Sequence, residues 1–226
     1  MATTIRRPVA AADVVKYAFF VLIALSVPLV LWADEGFLIH PADPHWKHIA
    51  PIKWLLLIHG LGGVTALTTG TLQMSSRIRR LRPALHRALG KIFIGAVTIS
   101  APVAIYMGTS TLEPVTIRFE QWFQGGGWLL SAWIAYACIR SGQMQLHKAW
   151  MMRAYAFTLV FLISRVPDFF IPSYNDQFLG DELWGMVVVA AIAPELILTL
   201  QTLWRIRSAK ARHAALSAAA AAVPAE

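Results

Sequence analysis

IKWLLLIHGLGGVTALTTGTL (52–72) runs into QMSSRIRRLRPALHR (73–87) and then into ALGKIFIGAVTISAPVAIYM (88–107). The first and third pieces are mostly apolar, and each is about twenty residues long. At about 1.5 Å of rise per residue, a helix of that length covers the ~30 Å hydrocarbon core of a bilayer. The middle piece carries Arg77, Arg79, Arg80, Arg82 and Arg87 and no acid. Short arginine-rich connections stay on the cytoplasmic side of a membrane. The three pieces together predict a helical hairpin that enters from outside, turns at the inner surface and returns.

The same alternation continues in both directions. Apolar segments lie at about 16–33, 52–72, 88–107, 122–139, 149–166 and 183–204. Connections on one side, with the first turn of each adjoining helix, hold 16 of the 20 Lys and Arg residues. The other side has only Lys47, Lys53, Arg118 and Arg165, against 9 of the 12 acids. This asymmetry predicts an all-α, polytopic transmembrane helical bundle of about six spans with both ends in the cytoplasm. Residues 1–15 are expected as a cytoplasmic tail, 16–205 as the transmembrane domain and 206–226 as a frayed, Ala-rich cytoplasmic tail.

Composition agrees with this architecture. The chain is 57% hydrophobic with a mean hydropathy of +0.56, and no connection is long enough for a second soluble domain. A membrane barrel would need segments of alternating polarity, which the sequence lacks. The net charge of +8 belongs to the membrane topology, so no nucleic-acid partner is expected. The single cysteine, Cys138, lies in an apolar segment and offers no disulfide. Arg6, Arg7 and the following apolar run resemble a signal peptide, but Leu31 breaks the small-residue cleavage pattern. The first segment is therefore expected to remain a span. P-loop, dinucleotide-fold, nucleophile-elbow, zincin and C-x-x-C patterns are absent.

Ionisable residues at membrane depth usually have a function. Here they are His59, His86, His147, Arg153, Arg165 and Glu195. His86 sits in Leu85-His86-Arg87-Ala88 and His147 in Leu146-His147-Lys148-Ala149, each after a basic cytoplasmic turn. The segments that follow run in the same direction, so the two imidazoles share one depth. If those helices adjoin, His86 and His147 are positioned to hold haem iron from both sides. Gly90, one turn after His86, would let a flat macrocycle approach the backbone, and Met151, one turn after His147, would form a soft wall. The competing reading is a pair of interfacial histidines bonded to lipid headgroups.

His59 precedes Gly60, Gly62 and Gly63, which favour close helix approach; a hydrogen bond to a carbonyl or carboxylate is its expected role. Glu195 follows Pro194 within the last segment. It is expected to turn into the bundle and pair with Arg153 or a polar group on span 2. His40, Asp43, His45 and His48 form a loose outer cluster that matches no sharp metal motif.

At Leu85-His86-Arg87-Ala88-Leu89-Gly90-Lys91 and His147-Lys148-Ala149-Trp150-Met151-Met152-Arg153-Ala154-Tyr155-Ala156 the chain resembles a bacterial family. That group of membrane proteins is catalogued as domain of unknown function 2306. It pairs an H-R-x-x-G element with a later H-[RK]-x-W-M-x-R-x-x-A element. Arg165 followed by Pro172, and Glu195, fit the same likeness, which covers roughly residues 55–205. It implies a multipass fold in the bacterial inner membrane and no particular activity. A looser likeness is to b-type haem cytochromes of helical bundles. It implies that His86 and His147 hold a haem b near the cytoplasmic face; span 4 has no histidine to complete an outer haem.

Two functions follow as expectations. One is a redox protein with a single haem b, exchanging electrons with a quinone or a redox partner protein. The other is a non-haem transporter, or an accessory subunit of a membrane complex, whose polar pocket is lined by His59, Arg153 and Glu195.

Overall fold

The computed structural model describes residues 11–33, 50–110, 115–164 and 176–221. Every regular element among them is a helix: α1 (Ala11–Ala33), α2 (Lys53–Gln73), α3 (Ser76–Leu81), α4 (Pro83–Ser110), α5 (Val115–Arg140), α6 (Met144–Ile163) and α7 (Asp176–Ala221). Arg165 and the outer group His40, Asp43, His45 and His48 lie outside the described residues.

Local chemistry sets the inner turns. Ser75 caps α3 by accepting a hydrogen bond from the Ile78 amide at 3.4 Å. Pro83 then starts α4 at the position where a missing N–H costs nothing. Gly142 turns the chain between α5 and α6 with φ of 75°, a conformation that favours glycine. The expected hairpins α2–α4 and α5–α6 are both present.

Helices α2, α4, α5 and α6 pack as a ring: α2 on α4, α4 on α5, α5 on α6 and α6 back on α2. Helices α4 and α6 thus occupy opposite corners, not the adjoining positions that the haem expectation invoked. Helix α1 lies against α2 and α6, and α7 against α6 and α5. Glycines allow the close crossings. A Cβ added to Gly62 would lie 2.6 Å from Ser100 Cβ, and one on Gly70 would lie 2.6 Å from the Tyr155 ring. Leu67, Phe93, Val97, Ala132 and Ala154 fill the centre. Leu61, Ile99, Leu130, Val189 and Leu200 project outward, as lipid-facing side chains do.

Among the described residues, three helices are long and apolar enough to cross a membrane by length and composition, with bounds Lys53–Gln73, Pro83–Thr109 and Glu182–Ser217. Helices α5 and α6 are less apolar because they carry the polar side chains of the two sites below. The C-terminal tail also differs from expectation: helix continues to Ala221. Alanine has the best intrinsic helix propensity, so an Ala-rich extension prolongs α7 instead of fraying.

Candidate functional site

The inner end of the ring gathers His86, His147, Gln73 and Gly90. His86 is the fourth residue of α4 and His147 the fourth of α6. Their amides bond to the residue before each helix, His86 to the Arg82 carbonyl at 3.0 Å and His147 to the Gln143 carbonyl at 2.9 Å. The short repeat in the sequence is therefore a repeat of helix position. His147, Arg79 and Arg87 all lie close enough to His86 for their charges to act on it. The two histidines stand on helices at opposite corners of the ring.

Hydrogen bonding distinguishes the two rings. His147 Nδ1 lies 2.9 Å from the Ala135 carbonyl. A carbonyl only accepts, so Nδ1 carries the proton and, in the neutral ring, Nε2 keeps its lone pair. His86 Nδ1 is buried without a hydrogen-bond partner among the described residues, as is Gln73 Nε2. Gly90 does not face an open slot. A Cβ there would lie 3.3 Å from Gln73 Nε2, so the Gln73 carboxamide takes the space beside it. Met151 packs at the edge of the core.

This end of the ring supplies two imidazoles, an orphaned amide and two nearby arginines. The His147 tautomer leaves Nε2 for a metal and sends Nδ1–H to a carbonyl, the usual support for a ligating histidine. The orphaned atoms of His86 and Gln73 call for a further partner. Arg79 and Arg87 add positive charge close to His86. No cluster of three or more His, Cys, Asp or Glu side chains occurs among the described residues.

A second polar region opens at the outer end. A cavity of about 190 Å³ lies between α2, α4, α5, α6 and the start of α7. His59, Glu120, Gln121 and Trp128 are among its walls. Ser100 Oγ donates to the His59 carbonyl at 2.8 Å, and His59 Nδ1 lies 3.1 Å from the Ser100 carbonyl. This clasp forms where Gly62 lets α2 touch α4. Glu120 is 1% exposed, and its Oε1 has no hydrogen-bond partner among the described residues. It lies just outward of the apolar span 122–139, and burial pushes its carboxyl up to about 7.

Arg153 and Glu195 form an ion pair, Nε to Oε1 at 2.5 Å and Nη2 to Oε2 at 3.0 Å. The Arg153 guanidinium also lies 4.5 Å from the Trp150 ring centre. The pair sits on the outside of the bundle, with the Glu195 side chain 54% exposed. Glu195 thus finds the expected partner on span 5 but does not turn into the bundle. The reason is steric: Pro194 takes the fully buried position on α7, and the next residue is rotated by about 100°. His59, Arg153 and Glu195 therefore do not share one pocket. His59 faces the outer cavity, and the ion pair ties α6 to α7 elsewhere.

Sequence reading missed Glu120, Gln121 and Gln73. A signal for the first was present. Glu120, Gln124 and Trp128 recur at intervals of four, which puts an acid and an amide on the buried face of a helix. Gln73 gave no comparable signal, because a polar residue at the end of an apolar run is ordinary.

No curated protein and no solved structure matches the chain. Residues 56–204 match a family model described as a predicted membrane protein, DUF2306. That match spans α2 to the middle of α7 and includes His59, His86, Glu120, His147, Arg153 and Glu195. This helical membrane protein belongs to the DUF2306 family.

Proposed function

We propose that this membrane protein is a redox protein holding one haem b near the cytoplasmic face, with His86 and His147 as axial ligands. The observation that carries the reading is the pairing of these imidazoles across the ring at matched helical positions, with His147 Nδ1 committed to the Ala135 carbonyl. Bound haem supplies one-electron chemistry. The chain's own part is to orient and enclose. Ala135 holds the His147 ring by its Nδ1 proton, Gln73 offers an amide N–H beside Gly90, and Arg79 and Arg87 balance negative charge at the inner rim. Electrons would pass to or from a quinone or a redox partner protein. The same reading includes six spans with both ends in the cytoplasm of a bacterial cell, in its inner membrane, because the basic side chains gather at the haem end.

The absorption spectrum of the purified protein, oxidised and then dithionite-reduced, tests the reading. The expected result is a Soret band that shifts and sharpens on reduction. His86→Ala and His147→Ala should each abolish it, and His59→Ala should leave it intact. A colourless, well-folded preparation from haem-replete cells overturns the proposal.

The outer cavity favours a second reading, in which the protein handles a small molecule without haem, as a transporter or an accessory subunit of a membrane complex. A colourless protein that still binds a ligand through the outer cavity would establish it.

A further inference from the structure

The outer cavity presents an acid that has no counter-charge among the described residues. Glu120 is its one lining carboxyl; α4, α6 and α7 contribute no titratable lining residue, and α2 contributes only His59. Two buried atoms at this end have no hydrogen-bond partner among the described residues, Glu120 Oε1 and Gln121 Oε1. Both are oxygens, and both side chains line the cavity. A buried carboxylate without a counter-charge is costly, and a fold retains one where something else completes it.

The remaining walls narrow the class of ligand. Trp128, Phe157 and Phe161 line the same space. The Trp128 Nε1–H is already donated to Thr158 Oγ1 at 2.9 Å, which leaves the ring as apolar, π-rich surface. Such rings attract cations by their quadrupoles. A cavity of about 150 Å³ accommodates benzene, so 190 Å³ takes one ring with a short substituent. The outer connections carry 9 of the 12 acids, which raises the local concentration of cations at the mouth.

We infer that this cavity binds a small organic cation, a primary ammonium with at most one ring, its N–H groups on Glu120 and Gln121 and its apolar part against Trp128, Phe157 and Phe161. The site is at the opposite end of the bundle from His86 and His147 and stands independently of the haem proposal.

The test uses the full chain in lipid nanodiscs, titrated calorimetrically at pH 8 with benzylammonium, benzyl alcohol and benzoate. Benzylammonium should bind about tenfold or more tightly than benzyl alcohol, and benzoate should not bind. Affinity for benzylammonium should fall about tenfold per pH unit below 7, as protons compete for Glu120, and should level off above 8. Glu120→Gln should fold, with a melting temperature at pH 8 no lower than that of the wild type, and lose the preference for the cation, and His59→Gln should retain the pH dependence. Should Glu120→Gln fail to fold, the wild-type pH profile and Glu120→Asp, which keeps the charge but withdraws it, decide the matter. Equal binding of benzyl alcohol, or unchanged cation binding by folded Glu120→Gln, overturns the inference. Arg165 is the next residue in sequence after Ser164, which lines the cavity. If wild-type protein ignores benzylammonium and Arg165→Gln gains binding, the counter-charge is internal and the inference also fails.

Discussion

At the residue scale, Glu120 ties stability to pH in a direction opposite to most acids. An ordinary salt-bridged carboxylate stabilises a fold at neutral pH and loses that contribution in acid. Burial raises Glu120 from 4.5 to about 7, so the folded state holds the proton more tightly than the unfolded state. Its contribution is full below 4.5 and is lost as pH rises through 7, a change of about 3 kcal/mol. The difference in unfolding free energy between wild type and Glu120→Gln, followed from pH 4 to pH 8, should show that slope. A difference independent of pH would mean that the carboxyl is solvated. His86 and His147 were legible in the sequence because a repeated tetrapeptide after a basic turn marks depth. Glu120 was not, because its burial depends on α2 and α6 closing over it.

At the element scale, glycine contacts set how the helices meet. Gly70 lies under the Tyr155 ring, whose hydroxyl is 2.5 Å from Thr71 Oγ1. Gly70→Ala should cost about 1–3 kcal/mol by overpacking. Gly95 has nothing within 4 Å of an added Cβ, so Gly95→Ala should be neutral or slightly stabilising. Equal effects at the two positions, read from thermal unfolding, would contradict this packing of α2 on α6. The Arg153–Glu195 pair couples α6 to α7 through two hydrogen bonds. In water an exposed pair contributes at most about 1 kcal/mol; against lipid, with no water to solvate either charge, the coupling should exceed that. A double-mutant cycle of Arg153→Ala and Glu195→Ala in nanodiscs measures it, and zero coupling would place the pair in contact with water.

At the scale of the whole molecule, the arginine asymmetry predicts orientation. A reporter active only outside the cytoplasm should signal when fused after His45, Val115 or Asn175, and stay silent after Arg80, Gln143 or Lys210. A signal after Arg80 would invert the arrangement. Apolar runs and the short basic stretches between them sufficed for the helical membrane fold and its hairpin turns, because each is a property of contiguous residues facing one solvent. The rotation of each helix about its axis was not legible in that way. It depends on contacts between residues distant in the chain, such as Gly62 with Ser100 and Gly70 with Tyr155. Those contacts put α4 and α6 at opposite corners, closed Glu120 into a cavity with His59, and turned Glu195 outward beside a buried Pro194. Only packing could make these choices, since a one-residue change in facing moves a side chain about 100° around its helix without altering the local sequence pattern.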